Sequence, residues 1–205
     1  LPTPNFIIKM KKTLLIILGP TGIGKTKISI ELAKHLNTEI ISSDSRQIYK
    51  ELSIGTAVPN SQELHTVKHS FIQTQSIHDY FNASMYEIEV LAKLNELFKT
   101  HNSVILAGGS MLYIDVVCNG IDDLPKIDIE IRNNLISRFE TEGLDNLRLE
   151  LKKIDPDYYA IADLKNHKRI LHALEIFYST GKTYSSYRTS TKKERDFQIL
   201  KIGLN

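Results

Sequence analysis

The chain has 205 residues, 41% of them hydrophobic and 24% charged, which supplies a core for one domain or for one domain with a sizeable insertion. Cys118 is the only cysteine, so an intrachain disulfide is excluded and a reducing cytoplasm is the setting that fits; no apolar run is long enough for a membrane-spanning helix. The net charge of +2 is unevenly placed: residues 165–195 hold eight Lys or Arg and two acids, so that stretch carries +6 and the remainder sums to −4. A basic stretch on an acidic-to-neutral body suits a polyanionic partner, although a solvated basic face has the same composition.

In chain order, Lys9, Met10, Lys11 and Lys12 precede a five-residue apolar run. The pattern looks like the start of a secretory signal, but the run is too short for one. Residues 1–13 are expected to form a flexible leader, with Met10 a candidate start and residues 1–9 a leader or an artefact. Residues 14–18 (LLIIL) read as a buried strand. They run into Gly19, Pro20, Thr21, Gly22, Ile23, Gly24, Lys25 and Thr26, which fit G-x-x-x-x-G-K-[ST]. With a strand before it and a helix after it, this pattern is a phosphate-cradling loop. Its glycines let successive N–H groups turn inward on anionic oxygens, and the next helix adds its positive end. Lys25 is placed to reach the outer phosphate and the Thr26 hydroxyl to hold Mg2+. The loop specifies a phosphate, not a reaction.

Next, Ile28, Leu32, Ala33 and Leu36 share one helical face, which ends at Asn37 as a C-terminal cap. Residues 39–43 read as a second buried strand that delivers Asp44 at its carboxyl end, the end where open parallel sheets bind ligands. Asp44 is therefore the first candidate for catalytic work, and it reads also as a cap for the next helix. Residues 45–59 suggest a short helix and a loop, and residues 69–74 a short strand. A helix after Asn82 or Ser84 carries Met85, Ile88, Leu91, Ala92, Asn95 and Phe98 near one stripe, with Met85 and Phe98 as core residues. Residues 103–107 form another buried strand, followed by Gly108, Gly109 and a helix from Ser110. Strands alternating with helices predict an α/β fold, a P-loop NTPase-like parallel sheet flanked by helices. The expected core spans residues 14–119. From Gly120 the pattern turns helical, so residues 120–195 are expected to be an all-helical insertion with a basic linker. Residues 196–205 return to the sheet as a strand. Cys118 reads as a small core residue. His35, His65, His69, His78, His101 and His167 show no metal-ligand spacing.

Several pieces now coincide. GPTGIGKT, then D-S-x-x-I-Y-K-x-x-x-I-G-T-A-x-P from Asp44 to Pro59, then AGGSMLY, then KRILHALEIFYSTGKT: together these resemble the tRNA dimethylallyltransferase (tRNA isopentenyltransferase) family, from about Leu14 to the end of the chain. The Asp44 block is the specific part, since the loop alone fits nucleotide-binding and ATP-binding enzymes in general.

The resemblance implies transfer of a dimethylallyl group from dimethylallyl diphosphate to N6 of the adenosine 3′ of the anticodon in tRNA, with pyrophosphate released. It makes Asp44 the general base, with Lys25 and Ser110 also catalytic and residues 19–26 binding the diphosphate. The anticodon stem-loop would meet Asp44, Ser45, Arg46, Gln47, Ser110, Arg132, Lys168, Arg169, Ile170, Leu171 and His172. A soluble monomer with no obligate protein partner is implied. The chain departs from the family at Ser110, where Thr is usual, and at His172, where Arg is usual. Family members also run on past the position of Asn205 with a further catalytic arginine and more tRNA contacts, so a chain ending there is expected to turn over weakly or not at all. Other readings are a free-nucleotide isopentenyltransferase, a P-loop small-molecule kinase and an inactive RNA-binding fragment.

Overall fold

A computed structural model describes residues 11–122, 124–125, 127–189 and 192–205. The expected start at Met10 and the leader before it lie outside the described residues. The chain divides into two compact units, a sheet unit (Leu1–Ile121 with Lys192–Asn205) and a helical unit (Asp122–Thr191).

The sheet unit runs β1 (Thr13–Leu18), α1 (Lys25–Leu36), β2 (Ile40–Ser42), α2 (Ser61–Thr66), β3 (His69–Ser70), α3 (Ala83–Leu97), β4 (Ser103–Gly108) and α4 (Met111–Asn119). The helical unit holds α5 (Ile129–Glu142), α6 (Leu144–Ile154), α7 (Pro156–Ile161), α8 (His167–Thr180) and α9 (Tyr184–Tyr187), and β5 (Gln198–Gly203) returns to the sheet. The strands lie in the order β3-β2-β4-β1-β5, and each pairing is parallel. Parallel strands buried on both faces read as unbroken apolar runs, which is what β1 shows. Leu14 and Ile16 join the core under α3 and α4, while Leu15 and Ile17 join the core under α1. The register pairs Leu18 with Gly108 and Ser42 with Ala107, so the loops after β1, β2 and β4 leave the sheet along one edge.

Four expectations are corrected. The leader does not extend to residue 13, because Thr13 opens β1 and Lys12 already donates from Nζ to the His101 carbonyl at 2.8 Å. Residues 45–48 form turns rather than a helix: Gln73 N–H bonds the Gln47 carbonyl and Gln75 N–H the Ile48 carbonyl, pairings that draw the segment out to neighbouring chain. On α3 the buried residues are Tyr86, Glu87, Val90, Leu94 and Leu97, whereas Met85 is 36% and Ile88 66% exposed. Both faces of that helix are apolar, so periodicity alone cannot choose, and packing against β2 and α4 decides. On α1 the buried side chains are Ser29, Ile30 and Ala33, and Leu36 is exposed. Asn37 does end α1, in the left-handed region with φ 48°. Cys118 is buried in the core, and burial raises its thiol pKa.

In the helical unit, Leu135, Leu147, Leu151, Tyr158, Ile170 and Leu174 form a separate core. Gly143 breaks α5 from α6, and Asp155 caps α7 by accepting from Tyr158 N–H at 3.1 Å.

Candidate active site

The phosphate loop is built as its glycines require. Gly22 and Gly24 have φ 85° and 98°, a backbone region open to glycine at little cost. Gly24 is the N-terminal boundary of α1, so the unpaired N–H groups of the first helical turn face the loop's concavity. Lys25 folds back over the loop, with Nζ donating to the Gly19 carbonyl at 2.8 Å and the Pro20 carbonyl at 2.7 Å. Burial lowers its pKa from the ordinary lysine value, and the charge of Asp44 opposes that shift.

Asp44 follows β2. Its Oδ1 accepts from Arg46 N–H at 2.9 Å and Gln47 N–H at 3.2 Å, which fixes the carboxylate against its own turn. The cap that the sequence suggested is therefore present, but it caps a turn and occupies one oxygen only. Gln47 turns inward and donates from Nε2 to the carbonyls of Thr56 (3.0 Å) and Ala57 (2.8 Å), holding the loop that carries Pro59.

Ser110 occupies the first boundary position of α4, yet it caps nothing with its side chain. Its Oγ accepts from Ser45 N–H at 2.8 Å and donates to Ser45 Oγ at 3.0 Å, and its N–H donates to the Ser43 carbonyl at 3.1 Å. The turn after β2 is thus tied to the turn after β4. Gly108 makes this possible, since a Cβ there would lie 2.3 Å from the Ser43 carbonyl oxygen. Beneath, the fully buried Tyr86 donates its hydroxyl to the Ser42 carbonyl at 2.8 Å and stacks on Tyr113 at 4.0 Å between centroids. Burial, with Tyr49 and Asp44 adding to it, pushes the Tyr113 phenol up to about 12.

A cavity of ≈ 270 Å³ joins these pieces: Thr21, Lys25, Thr26, Asp44 and Gln47 line it together with Gly108. Among the described residues no cluster of three or more His, Cys, Asp or Glu is placed to hold a metal ion. Thr26 plus the oxygens of a bound diphosphate is nonetheless a donor set that fits Mg2+, which keeps much of its water and takes few protein ligands.

The remaining sequence candidates lie in the helical unit. Lys168 and Arg169 are exposed in the first turn of α8. Within the expected five-residue contact segment, Ile170 and Leu171 are 0% and 7% exposed and their side chains pack the unit's core, which leaves Lys168 and Arg169 as its exposed side chains. Arg132 donates from Nε (2.9 Å) and Nη2 (3.2 Å) to the buried Glu175, whose Oε2 is also 3.4 Å from His172 Nδ1. Arg195, part of the basic stretch, is internal to the sheet unit and paired with Glu87, so it adds nothing to a basic surface. Sequence reasoning gave no role to Gly108 or to the inward hold of Gln47. A glycine at a strand end is the one signal that pointed to close backbone approach.

A glycine-rich loop after β1 and a carboxylate after β2, on one edge of a parallel sheet with β4 between the two strands, define an α/β protein with the P-loop type of fold. The chain matches the family described as IPP transferase over residues 47–205. It belongs to that family. It is 56% identical over 193 residues to tRNA dimethylallyltransferase 1 of Bacteroides fragilis (strain YCH46), covering 94% of this chain and 64% of that one. It is 54% identical to tRNA dimethylallyltransferase 1 of Phocaeicola vulgatus, covering 95% of this chain and 65% of that one. Among solved structures, a eukaryotic dimethylallyltransferase acting on tRNA matches with a TM-score of 0.75 and 28% identity, over 94% of this chain and 48% of that one. The full-length tRNA isopentenylpyrophosphate transferase of Bacillus halodurans matches with a TM-score of 0.55 and 31% identity, over 94% and 60%. The chain therefore spans less than two thirds of the length of these relatives.

Proposed function

We propose that this chain carries the donor site and part of the RNA site of a tRNA dimethylallyltransferase, moving a dimethylallyl group from dimethylallyl diphosphate to N6 of the adenosine 3′ of the anticodon. The observation that carries the reading is the shared cavity of Lys25, Thr26 and Asp44, an ammonium and a hydroxyl suited to a phosphate facing one carboxylate.

The chemistry needs both sides. The allylic C–O bond breaks as negative charge gathers on the departing diphosphate, and the loop N–H groups with the Lys25 ammonium meet that charge. Lys25 must give up its contacts to Gly19 and Pro20 to do so. Mg2+, held by Thr26 and the diphosphate, would supply further charge neutralisation. The N6–C bond forms as the amine loses a proton, and Asp44 accepts it. Among the described residues Oδ1 is committed to the turn, which leaves Oδ2 for the proton. The base has to leave the anticodon stack to reach the cavity. Lys168 and Arg169 are exposed cations of the helical unit, suited to tRNA phosphates.

The test is Asp44→Asn, which keeps the acceptor for Arg46 and Gln47 but removes the base. Turnover with labelled donor and tRNA is expected to fall ~10² to 10⁴-fold while tRNA binding holds. Unchanged turnover would remove Asp44 from this role, and labelling of free adenosine monophosphate in place of tRNA would end the tRNA reading.

A further inference from the structure

Glu87 is an acid in the buried face of α3, 4% exposed, next to the apolar Val90 and Leu94. Its two oxygens reach two different stretches of chain. Oε1 accepts from Arg195 Nη2 at 2.7 Å, and Oε2 accepts from the Ile121 backbone N–H at 3.1 Å. Arg195 also donates from Nε to the Val117 carbonyl at 2.9 Å and from Nη2 to the Val116 carbonyl at 2.8 Å, in the last turn of α4. Lys193 N–H donates to the Asn119 carbonyl at 2.7 Å. Gly120, at φ 82°, lies so close to this returning chain that a Cβ would sit 2.7 Å from the Lys193 side chain.

Residues 119–121 are where the chain leaves the sheet unit, and residues 193–195 are where it comes back. Both stretches are therefore zipped to each other and fastened through one carboxylate to α3. The neighbouring α3 residue, Tyr86, holds the Ser42 carbonyl just before Asp44, and α4 runs from Ser110 to this fastening. A buried ion pair is a poor way to gain stability, because desolvation offsets most of the attraction. What an apolar pair of the same volume cannot do is engage the Ile121 N–H and two helix-end carbonyls at once.

We infer that Glu87 and Arg195 are positioning residues: they fasten residues 119–121 and 193–195, the points where the chain leaves and re-enters the sheet unit, to the same helix pair that holds Ser110 and the Asp44 turn, so that these crossing points stay in place on the sheet unit when tRNA binds. This rests on the tRNA reading proposed for the cavity, and the experiment separates the two.

The full chain carrying Glu87→Met with Arg195→Met is compared with Glu87→Gln and with the parent. Hydrogen exchange is followed at the Ile121 and Lys193 amides and at amides of β1 and β4, and dissociation constants are measured for tRNA and for dimethylallyl diphosphate. The double variant is expected to keep β1 and β4 protection, while exchange at Ile121 and Lys193 speeds about tenfold or more. Its tRNA affinity is expected to weaken about tenfold with donor affinity unchanged, and Glu87→Gln, which still accepts from Ile121, is expected to lie between. Unchanged exchange at the two amides, or equal losses for both ligands, overturns the inference. If the parent itself does not bind tRNA, the tRNA reading fails and the exchange result alone decides the fastening. If the double variant loses β1 and β4 protection, the pair is a stability element and the inference falls.

Discussion

Gly108→Ala puts the coupling of the two turns to a direct test. The added methyl would sit 2.3 Å from the Ser43 carbonyl oxygen and 2.4 Å from its carbonyl carbon, both parts of a backbone that cannot swing aside, and 2.4 Å from its Oγ. Ordinary contact starts near 3.4 Å, so the Ser43 turn must retreat by about 1.1 Å, the difference between 3.4 and 2.3 Å. That retreat strains the Ser43 N–H bond to Ala107 (2.8 Å) and the Ser110 N–H bond to Ser43 (3.1 Å). Overpacking costs about 1–3 kcal/mol and each of the two weakened bonds about 1 kcal/mol, so a loss of about 3–5 kcal/mol is expected. Asp44, the next residue, moves with the turn, and a displacement near 1 Å lowers turnover on the order of 10²-fold. Gly109→Ala is the control: its Cβ would lie 3.4 Å from the Gly19 carbonyl oxygen and 3.9 Å from Lys25 Nζ, which is tolerable contact. Urea denaturation followed by circular dichroism, with prenyl transfer measured in parallel, reads both effects. A Gly108→Ala protein with the parent's midpoint and rate would refute the reasoning, as would a Gly109→Ala protein that is equally destabilised.

The other expectations concern charge. Diphosphate binding needs the Lys25 ammonium, whose pKa burial lowers against the pull of Asp44, so affinity should hold at neutral pH and fall as pH rises through that lowered value. Lys25→Met should weaken pyrophosphate binding ~10- to 100-fold and abolish the alkaline fall, as a titration across pH would read; persistence of that fall would assign it elsewhere. At Glu175, burial pushes the carboxyl up, but bonds from His172 and Arg132 with their charges carry the net shift downward. A lowered acid adds stability above its unfolded pKa of about 4.3 and loses it as pH falls through the folded value, so the helical unit should weaken in acid. Glu175→Gln should flatten that acid limb and cost less than the ~3–5 kcal/mol of a fully buried broken pair, because Arg132 stays partly in water; an unchanged acid slope in thermal melts would exclude the pair as its source. Cys118, buried with a raised thiol pKa, should resist alkylation at neutral pH until the chain unfolds, as mass spectrometry after a short iodoacetamide pulse would show.

Local chemistry made much of this protein legible in one dimension. Four glycine, lysine and threonine positions between an apolar run and a helix read as a phosphate-cradling loop, and β1 and β4, buried on both faces, announce themselves as continuous apolar stretches. The helical insertion was equally open to reading, because Ile131, Leu135 and Phe139 repeat at helical spacing. Choices between equivalent faces were not. Either stripe of α3 would bury apolar surface, and only Tyr86 reaching the Ser42 carbonyl and stacking on Tyr113 selects one. Ser110 stands at the start of a helix, and only the approach of two turns gives its hydroxyl to Ser45. Arg195 counted as surface charge until Glu87, 108 residues away, took it inside. Spacing along the chain reports on neighbours within a few residues, and partners brought together by the sheet's crossings lie far beyond that reach, so the tertiary structure alone could decide them.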